Sequence, residues 1–302
     1  MLLQQFINGI TIGSTYALVA IGFTMIFGVL ELTNFSNSSL YMFGAYMTWL
    51  LYGVGMNFFV AFALSIALTG LLGFSIDRFA LRLLRKRHAP KLSGLITTLG
   101  MSMVIDNAIM VFCGTDSKSF ENHLDFGKVY IGNAIISWTQ IIILIVGFSL
   151  MIALSILVYR TKIGKAMTAI AQNQDAAKLM GIDTNKVIAL TFVISGVLAC
   201  IAGTMVAMYY RSIETTMGSL IGTKIFAAAI LGGVGILPIP GSILLPHLPG
   251  AMVGGILLGI VETMVSAYIS TGYRDAISFT ILIVVLLFMP NGMFGKKAIN
   301  KV

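Results

Sequence analysis

Long apolar stretches, separated by short polar or charged runs, repeat along the whole chain. They fall at 8–30, 36–53, 57–77, 92–113, 138–158, 187–209, 221–237, 249–269 and 276–290. A helix needs roughly 20 apolar residues to cross a bilayer. The pattern predicts an all-α, polytopic integral membrane protein with about nine transmembrane helices, give or take one, in a single domain over 1–302. The stretches 36–53 and 221–237 read as the weakest spans, either of them a half-helix or a re-entrant piece.

Composition agrees with the pattern. The chain is 58% hydrophobic and 10% charged, against about 25% charged in soluble domains. Such a surface excludes a water-soluble protein. Thirty-two glycines suit helices that approach closely in lipid. Cys113 and Cys200 lie in or near apolar segments and form no metal-ligand spacing, so no metal site is predicted. No Lys or Arg precedes Arg78, so the N-terminus is expected to be retained rather than cleaved as a signal peptide.

The formal net charge of +8 would suggest nucleic acid in a soluble protein. Here its distribution decides. Basic residues cluster in 78–91 (Arg78, Arg82, Arg85, Lys86, Arg87, Lys91), in 159–186 (Arg160, Lys162, Lys165, Lys178, Lys186) and in the C-terminal tail (Lys296, Lys297, Lys301). Positive residues stay on the cytoplasmic side. The chain is therefore expected to run N-terminus outside, C-terminus inside, and the charge reports topology, not nucleic-acid binding. The loop 114–137 is then extracytoplasmic.

One polar run stands out from the rest. AIAQNQDAAKLMGID, residues 169–183, lies in a cytoplasmic loop longer than the usual limit of about 12–15 residues. Asp175 is placed to cap a helix start and Gly181 to close it in the left-handed conformation. The small Ala176 and Ala177 would let another protein come close. A short amphipathic helix of this kind suits a partner's groove. It lacks the bulky aromatics and basic face of a helix that lies on lipid.

Polar groups within spans usually face a bundle interior. The first span carries Asn8, Ser14 and Tyr16. The break ELTNFSNSSLYM places Asn34 and Ser36 between apolar stretches, either as lining of a translocation path or as a turn between helices. Asp106 and Glu262 each put a carboxylate in mid-span. Small residues recur at four-residue spacing, as Gly9 and Gly13, Gly250 and Gly254, and Gly255 and Gly259, which predicts close helix packing. No HExxH or GxSxG motif occurs, so no catalytic residues are predicted. A self-contained secondary transporter would carry paired intramembrane charges and often an inverted repeat, and neither is evident.

KIGKAMTAIAQNQDAAKLMGIDTNKVIALTFVISGVLACIAGTMVAMYY resembles the coupling loop and following helix of the permease subunits of bacterial branched-chain amino acid ABC importers, of the LivH type. QQFINGITIGSTYALVAIGFTMIFGVLELTNFS, LRLLRKRHAPKLSGLITTLGMSM, FAAAILGGVG, PGAMVGGILLGIVE and FMPNGMFGKK are similar to the same family in the same order. The resemblance implies a transport subunit, not an enzyme, in the bacterial inner membrane. Its partners would be a second permease subunit, two cytoplasmic ABC ATPase subunits and an extracytoplasmic substrate-binding protein, besides membrane lipid. ATP would be hydrolysed by those partners and no cofactor bound here, since no GxxxxGK[ST] loop occurs. The coupling loop would include Gly164, Ala169, Asp175, Ala176, Ala177, Leu179 and Gly181. Members read NFAHG where this chain reads NFSNS, and often carry an uncharged residue near Asp106, whereas an acid at Glu262 fits their pattern. They also run almost directly from the GG-x-G turn into PGA. Here a stretch with Pro238, Pro240, Pro246 and Pro249 intervenes. Branched-chain amino acids are the implied cargo, with urea or short amides as alternatives.

Overall fold

A computed structural model describes residues 2–30, 32–87, 89–121, 127–131, 134–233 and 247–288. Each predicted apolar stretch carries a helix. Six are long and apolar enough to cross a membrane: α1 (Leu2–Leu30), the rod that begins with α3 (Phe58–Ser75), α5 (Lys91–Cys113), α6 (Trp138–Arg160), α9 (Thr184–Tyr210) and α11 (His247–Tyr268). Shorter are α2 (Ser36–Gly53), α10 (Met217–Gly232) and α12 (Arg274–Phe288). The loop expected at 78–91 begins later than its charges suggest. The α3 rod continues through a π-helical turn, Ile76–Leu81, into α4 (Arg82–Lys86). Asp77 on that turn is buried and pairs with Arg85 at 2.7 Å, so neutralised charge stays on the rod. The proline-rich stretch falls largely within 234–246, outside the described residues, as do Glu31 and the basic tail.

The connections at the α2–α3 end of the bundle are not bare loops. A short antiparallel pair joins β1 (Lys118–Ser119) to β4 (Ser212–Ile213), and β2 (Lys128–Ile131) pairs with β3 (Ala134–Ser137). Ser137 then starts α6 with a capping box, its hydroxyl and Gln140 exchanging bonds with each other's backbone.

The axis of the bundle is α1, with 89% of its apolar window buried. It packs on α11, α9, α10 and α6. Peripheral α5 has only 17% of its window buried, and Val111 and Phe112 face outward, as lipid-covered side chains do. Glycines set the axis. A Cβ on Gly9 would lie 2.7 Å from the Ile260 Cα, and one on Gly13 2.7 Å from the Ile256 Cα. Gly255 and Gly259 face Ala17 and Gly13 from the other side of that seam, while Gly250 and Gly254 press on Gly232 and Ala228 of α10. Thus α11 has two small faces a few residues apart, one for each neighbour. Where hydrocarbon offers no hydrophobic drive between helices, close backbone contact supplies dispersion energy instead.

A methyl group at Gly13 meets backbone, which cannot rotate away. Gly13→Ala is therefore expected to destabilise by about 1–3 kcal/mol, read as faster thermal inactivation in detergent. Gly53→Ala is the control, since nothing lies within 4 Å of its added Cβ. Equal loss in both variants would remove the seam from the argument.

Candidate functional site

Three regions carry polar groups that packing alone does not require. The first is the chain break before α2. Asn34 is buried, and its Oδ1 accepts from the Ser36 N–H at 3.2 Å and from the Ser36 hydroxyl at 2.6 Å. Thr98 on α5 holds the break in place, donating to the Thr33 carbonyl at 3.3 Å and accepting from the Phe35 N–H at 3.4 Å. One turn on, Asn37 accepts from the Ser195 hydroxyl at 2.7 Å. A small pocket lies here, lined by Phe23, Asn34, Phe35, Asn37, Ser38, Gly222 and Ile225.

The second region is a buried ion cluster. Glu262 on α11 has a fully buried side chain, and its Oε1 accepts from Lys224 Nζ at 2.7 Å, from the Tyr16 hydroxyl at 3.3 Å and from Arg274 Nε. Lys224 also pairs with Asp275 at 2.8 Å. Arg274 donates to the Tyr210 hydroxyl at 2.7 Å and the Tyr16 hydroxyl at 3.3 Å. Two cations and two anions thus tie α1, α9, α10, α11 and α12 together. This corrects the expectation of no paired intramembrane charges. Lys224 and Arg274 lie outside the three basic clusters of the sequence, and their partners are 38 and 12 residues from them. No single helical face shows the pairing.

The third region is the polar loop between α6 and α9. The helix α7 (Lys162–Gln172) begins at Thr161, whose hydroxyl accepts from the Gly164 N–H at 3.2 Å. A Cβ on Gly164 would collide with the Val158 backbone, which brings α7 hard against the end of α6. The helix α8 (Gln174–Leu179) is capped by Asn173, not by Asp175. The Asn173 side chain accepts from the N–H groups of Asp175 and Ala176, each at 3.0 Å. Asp175 lies two residues past the cap and instead pairs with Lys178 at 2.9 Å. Gly181 adopts φ 81°. Its N–H reaches the Lys178 carbonyl and that of Ile182 the Ala177 carbonyl, both at 3.0 Å, a Schellman closure. The Asp183 side chain then caps α9, and the Lys186 N–H it accepts holds its carboxyl below the usual carboxylate range.

Ala177 is buried against the bundle and Ala169 packs on the same core. The outward face of α8 is therefore not small, as its alanines suggested. Ala176 is exposed there, followed by Leu179 at 89% and Met180 at 83% exposure. Both sit among Asp175, Lys178 and Asp183, where water would otherwise surround them.

The remaining candidates have local partners. Asn8 accepts from Gln140 Nε2 at 2.7 Å and from Gln4 at 3.2 Å. Ser14 is buried, donates to the Thr11 carbonyl at 2.8 Å and meets Gly147 of α6. Asp106 is half-buried within reach of the Ser39 and Ser102 hydroxyls, which lie 2.7 Å apart across the α2–α5 contact. The structure brings Tyr16 and Glu262 together, and Asn34 with Ser36. It keeps Asn8 and Asp106 apart from both pairs. Asn37 falls in the break singled out in the sequence, while Lys224, Arg274, Asp275 and Asn173 carry no role there. Among the described residues no group of three or more His, Cys, Asp or Glu could hold a metal ion.

Residues 5–286 match the family model described as branched-chain amino acid transport system / permease component. The chain is 38% identical to the high-affinity branched-chain amino acid transport system permease protein BraD of Pseudomonas aeruginosa, over 99% of this chain and 98% of that one. It is 37% identical to the permease protein LivH of the corresponding system of Escherichia coli, over 99% and 97%. A more distant relative, the ribose import permease protein RbsC of Escherichia coli, is 24% identical over 92% and 83%.

Proposed function

Because the chain belongs to the family of branched-chain amino acid transport permeases, we propose that it is the membrane pathway subunit of an ABC importer for leucine, isoleucine and valine. It is a multi-pass membrane protein and a transport subunit. The observation that carries the reading is similarity along almost the full chain to two permeases of that cargo. The fold supplies what the role needs: a central helix wrapped by others, and a structured loop with an apolar pair turned outward.

In this reading the protein lies in the bacterial inner membrane, N-terminus outside and C-terminus inside, with nine membrane-embedded helices. A second permease subunit covers part of its lateral surface. Two cytoplasmic ATPases engage α7 and α8, and a binding protein delivers the amino acid from outside. ATP binding brings the ATPases together and pushes α8. The Schellman closure and the Asp183 cap make α8 and α9 a stiff connection, so the push reaches the bundle. A shift between two packed states requires such differential contact.

The buried ion cluster is the one feature that favours a self-contained carrier, since such carriers use intramembrane acids. Its charges are matched, two with two, so neither carboxylate of the cluster is left without a cation. Reconstitution separates the readings. Labelled leucine should enter proteoliposomes only with the ATPases, the binding protein and ATP all present. Uptake by the permease alone would overturn the proposal.

A further inference from the structure

The break before α2 does not lie at the membrane edge. Asn37, in the first turn of α2, donates to the Val19 carbonyl at 3.4 Å and accepts from Ser195. Val19 and Ser195 lie near the middles of α1 and α9, and Gly22 of α1 also faces Ser195. The start of α2 is therefore level with the centre of two spanning helices. A helix N-terminus carries about half a positive charge and turns N–H groups outward. Its N-cap, Phe35, offers no side-chain acceptor, and Asn34 Oδ1 takes only the first N–H, that of Ser36. Among the described residues, no side chain accepts from the backbone N–H groups of Asn37 or Ser38.

Asn34 gives a second, independent pointer. It is 1% exposed. The Ser36 N–H can only donate, so Oδ1 must face it and the amide orientation is fixed. That puts Nδ2 on the side away from Ser36, buried and without a partner, in a residue that lines the pocket. A buried donor without an acceptor is costly unless something fills the gap. No charged side chain lines the pocket. The wall opposite is apolar: Phe23, Phe35 and Ile225, with Phe226 behind, its ring 6.0 Å from Phe23 and 6.4 Å from Phe35. Gly222 of α10 closes it, and a Cβ there would lie 3.0 Å from the Ser38 Cβ.

We propose that the N-terminus of α2 is a carboxylate subsite for the amino acid in transit, with Asn34 Nδ2 as donor and the Phe23, Phe35 and Ile225 wall receiving the branched side chain. The proposal rests on the importer reading. The pocket has room for about one water molecule, so this is the closed form. The amino acid is admitted when α10, held to α2 through Gly218 and Gly222, draws back. A helix N-terminus within the membrane recognises an anion, and an aromatic and aliphatic wall recognises a hydrocarbon. Together they suit the carboxylate and the apolar side chain of such an amino acid.

The test compares Asn34→Asp with Asn34→Ala in the complete importer in proteoliposomes, reading leucine moved per ATP hydrolysed. Asn34→Ala removes a donor, while Asn34→Asp sets a carboxylate against the substrate's own. The expected order is wild type, then Asn34→Ala, then Asn34→Asp, with the last down about tenfold to a hundredfold. Equal values for the two variants, or wild-type coupling in Asn34→Asp, would overturn the subsite. If Asn34→Asp fails to assemble, Ser38→Asp against Ser38→Ala is read by the same rule. Absence of leucine uptake by the wild-type importer would instead strike the branched-chain reading, so the two failures are distinguishable.

Discussion

Glu262→Gln is expected to cost the folded permease about 3–5 kcal/mol, the usual penalty for removing one partner of a buried ion pair. The side chain is wholly buried and takes donors from Lys224, Arg274 and Tyr16. A neutral amide cannot offset the two cations. Lys224 keeps Asp275, but Arg274 is left with two phenols. The loss should appear as a fall on the order of ten degrees in the midpoint of thermal inactivation in detergent. Adding Lys224→Met to Glu262→Gln should recover part of the loss, because coupled residues are not additive. A Glu262→Gln protein as stable as wild type would show that the cluster holds nothing together. The cluster also bears on function. It ties five helices near Tyr210 and Arg274, where α9 ends and α12 begins, so opening that end means parting charges.

The second large effect lies at the other end of the molecule. Leu179→Asp together with Met180→Asp should leave the permease folded, with a change within about 0.5 kcal/mol, because both side chains point outward. Capture of the ATPases should fall at least tenfold for each lost contact, since an exposed apolar anchor at an interface is commonly worth 2 kcal/mol or more. Co-purification of ATPases with the tagged permease, beside its thermal midpoint, reads both terms. Unchanged capture would place the interface elsewhere on the loop. A lowered midpoint would mean that the pair serves the fold.

Much of this was legible from residue patterns because lipid imposes simple rules. Every backbone group in a span must be satisfied within the span, so apolar stretches became helices almost to their predicted ends. The glycines at four-residue spacing lie on one helical face, and that face is visible in one dimension. Asp175 shows where local reasoning slips. Caps depend on a one-residue register, and Asn173 was one of several polar residues competing for the same place. Tyr16 and Glu262 were legible as polar groups in spans, but their pairing was not, since contacts spread over five helices leave no period. Lys224 falls inside the weak stretch 221–237, where a single charge shows no partner in one dimension. The depth of α2 was equally hidden, because an apolar stretch has the same composition whether it starts at the membrane surface or in its middle.

The burial of α1 has a consequence for how the protein is made. Thr11, Ser14, Thr15, Tyr16 and Thr24 are all enclosed by later helices, and the seam at Gly13 closes only on Gly255 and Ile256. A ribosome adds roughly 5–20 residues per second. From Gly13 to Gly255 it needs on the order of ten seconds to a minute, during which α1 has no native neighbour on that side. The Thr11, Ser14, Thr15 and Thr24 hydroxyls can turn back onto carbonyls of α1 itself, but the Tyr16 phenol waits for Glu262 and the glycines stay bare, which makes α1 a ready match for another small-faced helix. Insertion machinery that shelters α1 until α11 emerges would therefore set the yield of active protein.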